Sequence, residues 1–383
     1  VGTLLDGLRI VEVSSFVAAP LGGMTLAQLG AEVIRVDPLG GAADRGRWPL
    51  APSGASLPWT GLNKGKRSVA IDLRSPEGRD AVTRLVAGAG IVLTNTVGRD
   101  WLSHAALAAH RPDLIHLQIE GTHDGAPAVD YTVNAELGFP FVTGPEGHGG
   151  PVNHVLPAWD VACGLYAAVG LLAAERRRAR TGAGAAIRLP LRDVALATAG
   201  NLGLLAEAQF GAERPRVGNH LFGGFGRDFV LADGRRVMVV ALTARHFADL
   251  AAATGRTGDV ADLARLLGAD FTVDGDRYRH REALAALFEP WFGARTEDGV
   301  AAAFTGTSVL WSPYRRFTEI DLDTPLLAEI DQPGVGRVRA PASPLNAGPR
   351  TVRPAPGLGA DTDAVLAEAG LDPAALRARG VIA

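Results

Sequence analysis

Leu8-Arg9-Ile10-Val11-Glu12-Val13, the segment from Pro20 to Gly30, and Glu32-Val33-Ile34-Arg35-Val36-Asp37 together decide the fold class. The two short runs rich in Val and Ile read as buried strands, and apolar residues at helical spacing mark the segment between them as a helix. Strand, helix and strand in so short a span form a βαβ unit, whose strands lie parallel. The alternation continues through Ser68-Val69-Ala70-Ile71-Asp72-Leu73, a helix that Pro76 opens and that runs to about Ala87, Ile91-Val92-Leu93-Thr94, and Asp113 to Ile119. The expected fold is α/β, an open doubly wound sheet.

Beyond the sheet, Leu165, Val169, Leu172 and Ala173 give Val161 to Arg178 the spacing of a helix, with cations at its C-terminal end and Thr181-Gly182-Ala183-Gly184 closing it. A second helix is expected from about Arg192 to Phe210. Pro215 to Phe229 is glycine-rich and irregular, Arg235 to Leu242 reads as a strand, and short helices are expected over 244–254, 260–267 and 281–293, which together predict a smaller domain. A Pro/Gly-rich stretch from Pro341 to Gly359 precedes a terminal helical pair, with Pro373 near the start of the last helix.

Composition narrows the function. The chain has 383 residues, 47% hydrophobic and 21% charged, and a single core stops growing near about 250–300 residues, so two domains are expected. Lys and Arg number 38 against 41 Asp and Glu, which leaves no basic excess for a nucleic-acid backbone. Gly, Pro and charges interrupt every apolar run before the ~18–20 residues that span a membrane, and Val1 to Asp6 lacks a basic-then-apolar leader. Neither nucleic acid nor membrane is an expected partner. The single cysteine, Cys163, allows no intrachain disulfide and fits a cytoplasmic address. His123, His148 and His154 have no second ligand pair at metal spacing, so no metal site is expected. No Gly-x-Ser-x-Gly elbow points to a hydrolase.

Several residues are candidates for chemistry. Asp37 ends the second strand where a dinucleotide ribose would sit, but Ser14 to Pro20 carries no Gly-x-Gly-x-x-Gly, so a ligand other than a dinucleotide is expected. Lys64-Gly65-Lys66-Arg67 suits a phosphate-bearing ligand and equally suits a solvated basic loop. Asn95 and Arg99 follow a strand and fall at the crevice end of the sheet. Asp160 stands at the start of the long helix, where an N-cap and a nucleophile kept ionised by the dipole both remain open. Gly218 to Gly226 has the glycine content of a loop over an active site and equally of an interdomain linker.

Taken together, the first strand, the Ala19-Pro20 helix, Ala31 to Asp37, Asn63 to Ser68, the Asp160 helix with Arg180 to Gly184, and Leu376 to Ile382 resemble the class III CoA-transferase family. That family also holds formyl-CoA transferase, the carnitine CoA-transferases and α-methylacyl-CoA racemase. The resemblance implies a Rossmann-like large domain from residues 1–210 and 326–383, a linker and small α+β domain over 211–325, and an interlocked homodimer. It implies Asp160 as the catalytic nucleophile, acting on an acyl-CoA through an aspartyl-CoA thioester, with a carboxylate as second substrate. CoA is then a substrate moiety, and no prosthetic group is expected. By the same resemblance Val17, Arg35, Lys66, Arg67, Asn95 and Arg99 contact CoA. His154, Asn219 and the loop Gly223-Gly224-Phe225-Gly226 belong to the substrate side, with Phe225 interrupting the family's glycines and Thr96 standing where many relatives carry Phe.

The racemase branch carries a His before the Asp of a short Gly-His-Asp motif, and here Val129 takes that place before Asp130. Valine moves no proton, which favours acyl transfer. Val152 to Asp160 and Arg216 to Phe229 resemble the branch that moves CoA between the C1 and C4 carboxyls of mesaconyl-CoA, the alternatives being transfer to a separate acid, racemisation and, last, binding without turnover. The free carboxylate of such a substrate needs a partner, for which Arg47, Asn153, His154, Asn219 and Arg227 are candidates.

Overall fold

In the computed structural model, residues 3–345 and 351–383 are described; Val1, Gly2 and residues 346–350 of the Pro/Gly-rich stretch lie outside them. The elements run β1 (Arg9–Val13), α1 (Ala18–Gln28), β2 (Glu32–Asp37), α2 (Leu57–Leu62), β3 (Arg67–Ala70), α3 (Pro76–Ala89), β4 (Ile91–Thr94), α4 (His104–Ala108), β5 (Ile115–Glu120), α5 (Asp130–Glu136), α6 (Phe139–Val142), α7 (Ala158–Thr181), β6 (Ala185–Pro190), α8 (Leu191–Asn201) and α9 (Leu204–Gln209). There follow β7 (Phe225–Val230), β8 (Arg236–Ala241), α10 (Ala244–Ala253), α11 (Thr257–Leu267), α12 (Asp274–Arg279), α13 (Arg281–Gly293), α14 (Glu297–Phe304), β9 (Leu310–Pro313), the pair β10 (Leu327–Gln332) and β11 (Gly336–Pro341), α15 (Thr362–Glu368) and α16 (Pro373–Ala378).

Six strands form one sheet in the order β3-β2-β1-β4-β5-β6, and every pairing is parallel. Ile10, Val11, Val33, Val92 and Leu93 are fully buried, as strands covered by helices on both faces require. The strand order turns around between β1 and β4, and the crevice beyond their C-terminal ends is where this architecture accepts ligands.

The chain forms two compact units. One comprises the residues up to Leu137, Val155–Gln209 and those from Leu322 onward; the other comprises Gly138–His154 and Phe210–Asp321. In the first unit the chain's end returns to β3: the Asp361 carboxylate accepts from Ser68 N at 2.8 Å, Thr362 Oγ1 accepts from Ala70 N at 3.0 Å, and Val381 O accepts from Asp72 N at 2.8 Å. These bonds cover an edge strand that would otherwise offer unpaired amides. The second unit holds the antiparallel sheet β7-β8-β9 over an aromatic core in which Phe229 stacks on Phe292 at 4.2 Å.

Helix α7 packs on α1 through two glycines. A Cβ on Gly22 would stand 2.9 Å from Gly164 O, and one on Gly164 would stand 2.6 Å from Ala18 O. By length and composition alone α7 is apolar enough to cross a membrane, with a mean hydropathy of 1.3 over 18 residues. The sequence expectation of no such helix treated glycines as interruptions; in the fold Gly164 and Gly170 are contact points, for α1 and for Leu117 of β5. Cys163, Gly164, Ala167 and Leu171 are buried, as in a core helix. The helix expected over 192–210 is two, α8 and α9, broken at Gly203 with φ +81°.

Candidate active site

At the C-terminal ends of β1, β4 and β5 lies a cleft of about 560 Å³ whose lining includes Phe16, Val17, Arg47, Asn95, Asp130 and Asp160. A larger cavity, of about 850 Å³, lies in the second unit among Arg235, Arg236, Arg315 and Asp228. Those three arginines pair with Asp228, Asp233 or Glu297 and offer no nucleophile. The carboxylates there, Asp228, Asp233 and Glu319, are themselves taken up by Arg236, Arg235 and the Arg316 N–H, which makes the smaller cleft the candidate site.

Asp160 lies in the first turn of α7, and the capping work there is done by another residue. One oxygen of Asp130, at the start of α5, accepts from Trp159 N at 2.8 Å and Asp160 N at 3.1 Å. The N-cap reading of Asp160 thus gives way to Asp130, thirty residues earlier in the chain, which leaves the Asp160 carboxylate to the cleft. No described residue donates a hydrogen bond to it. Burial, and then the neighbouring Asp130 charge, push its pKa from 3.8 up to about 6, against a smaller opposing pull from Arg47. A desolvated carboxylate of raised basicity is a better nucleophile than one in water. Below it, burial and the Asp160 charge push the Cys163 thiol up to about 12, so that sulfur stays protonated and inert.

The loop between β1 and α1 forms another wall. Asn95 holds it with two bonds, accepting from Ser15 N at 3.0 Å and donating to Ser15 O at 2.8 Å. Phe16 has φ +66°, the one non-glycine residue with positive φ among those described. Such a conformation costs an L-residue about 1–2 kcal/mol. It is held by Asp44, which accepts from Phe16 N at 2.9 Å.

Asp44 is in turn fixed by Arg35. The side chains of Arg35, Lys66, Glu12 and Asp37 have no exposed surface. Arg35 donates to Asp37, Asp44 at 3.0 Å, Asn63 at 3.0 Å and Ser14 O, while Lys66 Nζ donates to Glu12 at 2.7 Å, Asn63 at 2.8 Å and Pro20 O at 2.9 Å. Burial lowers the Arg35 pKa, but the carboxylates of Asp37, Glu12 and Asp44 outweigh it and leave the guanidinium held above its usual value. Burial brings Lys66 down to about 8 despite Glu12. Their donors are spent inside the protein, which corrects the expectation that Arg35 and Lys66 face a ligand. Asp37 likewise is a buried partner of Arg35 and not a ribose contact. Lys64 is buried over Gly61 O, and burial alone lowers its pKa to about 8. Arg67 pairs with Glu32 at 2.5 Å and Glu368 at 2.8 Å on the rim of the sheet. Arg99 is exposed and outside the cleft lining, whereas Val17 and Asn95 are within it.

A family model described as CoA-transferase family III matches residues 5–362. The chain belongs to this family. It is 50% identical over 95% of its length, and 93% of the relative's, to 2-methylfumaryl-CoA isomerase of Chloroflexus aurantiacus. It is 31% identical to the succinyl-CoA:mesaconate CoA-transferase of Haloarcula marismortui, with 86% of each chain covered. Among solved structures, a CAIB/BAIF family protein from Brucella suis superposes with a TM-score of 0.79 at 26% identity, covering 96% of this chain and 100% of that one. The protein is accordingly an enzyme, a class III CoA-transferase, for which CoA thioesters are substrates and no prosthetic group is needed. Among the described residues no group of three or more His, Cys, Asp or Glu stands together to hold a metal ion.

In the transferase the remaining expected residues fall in the second unit. His154 closes its first segment, and Asn219 bonds Asp228 there. The glycine loop is shorter than expected: Phe225 and Gly226 are the first residues of β7, and Phe225 is fully buried, its ring edge-on to Phe247 at 5.7 Å. Its apolar anchor takes both residues out of the loop and leaves Gly223, with φ +81°, and Gly224 as the free part. Of the five candidates for the substrate's free carboxylate, Arg227 pairs with Glu289 at 3.3 Å, and Arg47 alone lines the cleft that holds Asp160. No described carboxylate pairs with Arg47.

The raised basicity of Asp160 sets the pH dependence. With the Asp160 carboxylate as the expected nucleophile, kcat/KM should rise tenfold per pH unit below about pH 6 and level off above it. A rate profile flat down to pH 4.5 would show that Asp160 is not titrating in the free enzyme.

Proposed function

We propose that this enzyme moves CoA between the C1 and C4 carboxyls of one branched, unsaturated dicarboxylate, mesaconyl-CoA (2-methylfumaryl-CoA), with Asp160 as nucleophile. The observation that carries the reading is the Asp160 carboxylate itself, desolvated, free of hydrogen-bond donors and set in an apolar cleft with Arg47 as the unpaired cation. The identity to 2-methylfumaryl-CoA isomerase supports the substrate.

The Asp160 oxygen attacks the C1 thioester carbonyl, the C–S bond breaks, and CoA leaves as thiolate from a mixed anhydride. The thiolate then attacks the Asp160 carbonyl of the anhydride, the C–O bond breaks, and the C1 carboxylate departs, leaving aspartyl-CoA. The C4 carboxylate attacks that thioester and displaces the thiolate, which attacks C4 in turn and releases Asp160 as carboxylate. No proton is gained or lost over the cycle, so no acid/base beside Asp160 is required. Val129, 61% exposed at the position before Asp130, supplies none. Arg47 pairs with whichever substrate carboxylate is free. Val17 and Asn95, in the cleft, and Arg99, beyond the C-terminal end of β4, are assigned to CoA, while Arg35 and Lys66 act by holding the loops and Arg67, at the opposite end of the sheet, is spent on Glu32 and Glu368. The working form is a homodimer of interlocked copies, a reading supported by Leu165, Tyr166 and Val169, exposed along one side of α7.

Given mesaconyl-C1-CoA alone, the enzyme should yield the C4-CoA isomer with no added acid, because the second carboxylate is already held beside Asp160 and its attack is effectively unimolecular. In deuterium oxide it should exchange no α-proton of a 2-methylacyl-CoA. Conversion only when a separate acid is supplied would replace intramolecular by two-substrate transfer, and rapid deuterium uptake would replace both by racemisation.

A further inference from the structure

The residue that the reaction as written leaves unused is the strained one. Phe16 lines the cleft with Asp160 and is half exposed, and its backbone is held at φ +66° by a bond from its N–H to Asp44. Asp44 is buried and fixed by two donations from Arg35, at 3.0 and 3.1 Å, and Arg35 has no exposed surface. Ser15, one residue before, is clamped through both its backbone groups by Asn95. Three buried or half-buried side chains thus hold one residue where L-residues rarely stand, and a strained conformation persists only when its surroundings over-determine it. A glycine would meet the same backbone geometry with no strain. The chain carries an aromatic residue there instead, in the lining of the cleft that holds Asp160.

We propose that Phe16 is a partition-determining residue of the transfer: its ring is the wall that keeps water from the aspartyl-CoA thioester while the dicarboxylate turns to present its other carboxyl. This rests on the covalent route through Asp160 given above. Both covalent intermediates of that route are hydrolysable. Water added to the aspartyl thioester carbonyl breaks the C–S bond, releases CoA, which takes up one of the water's protons, and regenerates the Asp160 carboxylate as the other proton passes to solvent, so each such event yields free CoA and free diacid instead of isomer. Asn95 closes the opposite side of the same loop with its side-chain amide engaged, and Val17, Val97 and Val129 add apolar surface. The ring is the large apolar group among them on the β1–α1 loop, and the Arg35–Asp44–Phe16 chain explains why a fully buried arginine matters to a cleft it does not touch.

The test is Phe16→Gly, with Phe16→Tyr as the conservative control, reading free CoA with a thiol reagent and isomer by mass spectrometry in one reaction. The wild type is first run on mesaconyl-C1-CoA and on other acyl-CoAs with acids. If it turns over only the latter, the substrate assignment fails while the partition is still read on the acyl-CoA that works. Phe16→Gly should raise the ratio of hydrolysis to transfer by about tenfold or more, with a melting temperature equal to or above that of the wild type because the strain is gone. Phe16→Tyr should keep the wild-type ratio. A merely structural Phe16 would lower the melting temperature of the glycine variant and leave the ratio alone, and a glycine variant with the wild-type ratio overturns the proposal.

Discussion

Asp160→Asn should lower turnover by at least about 10⁴-fold, as loss of a nucleophile does when no other group can form the covalent bond, and should make the protein more stable. The second half follows from the sign of the pKa shift. Asp160 sits above its ordinary value, at about 6 in place of 3.8, so the folded state holds the proton more tightly than the unfolded one. Its favourable contribution is complete below about pH 4 and is lost as pH rises through about 6. At pH 7.5 the ionised side chain costs folding free energy, and a neutral amide of the same shape removes both the desolvation and the repulsion from Asp130. The expected gain is about 1–3 kcal/mol, read as a raised melting temperature. Hydroxylamine during turnover should modify Asp160 in the wild type. An asparagine variant that is dead and also less stable would point to a structural carboxylate; one that keeps near-normal turnover would remove Asp160 from the mechanism.

Arg35→Ala should be the most destabilising single change in the large unit, by about 3–5 kcal/mol, because it leaves Asp37 and Asp44 buried without their cation. The guanidinium bonds four partners in different directions, so Arg35→Lys, a single point charge, should recover little. Melting temperature measures the first effect. CoA affinity, determined calorimetrically at a temperature where the variant is folded, should change less than stability does. The reverse outcome, an unchanged melting temperature with CoA binding lost, would put Arg35 back at the ligand. Arg45, stacked over Trp59 at 3.9 Å beside the same carboxylates, is not placed to take over, since it reaches Asp37 at 3.8 Å only.

The parallel sheet was legible in residues 8 to 37 because buried strands and an apolar helix between them each declare themselves within a few neighbouring residues. The strand β6 was not, because Ala185 to Pro190 alternates between half-buried and exposed positions directly after a helix end and has no apolar run to betray it. The site divides in the same way. Residue type, helix position and family likeness were enough to single out Asp160 as a candidate. They could not show that Asp130 takes over its capping bonds, that Arg35 and Lys66 face inward to Glu12, Asp37 and Asp44, or that Asp44 bends the chain at Phe16. Each of those facts joins residues between 2 and 54 positions apart on different elements or loops, or on one strand face. Whether a lysine meets phosphate or a buried glutamate depends on what the folded chain places against it, and the free energy of that choice lies in desolvation and pairing. Local sequence therefore determined most of the strands and helices and the candidate carboxylate, while tertiary packing decided which charges remain free to meet a substrate.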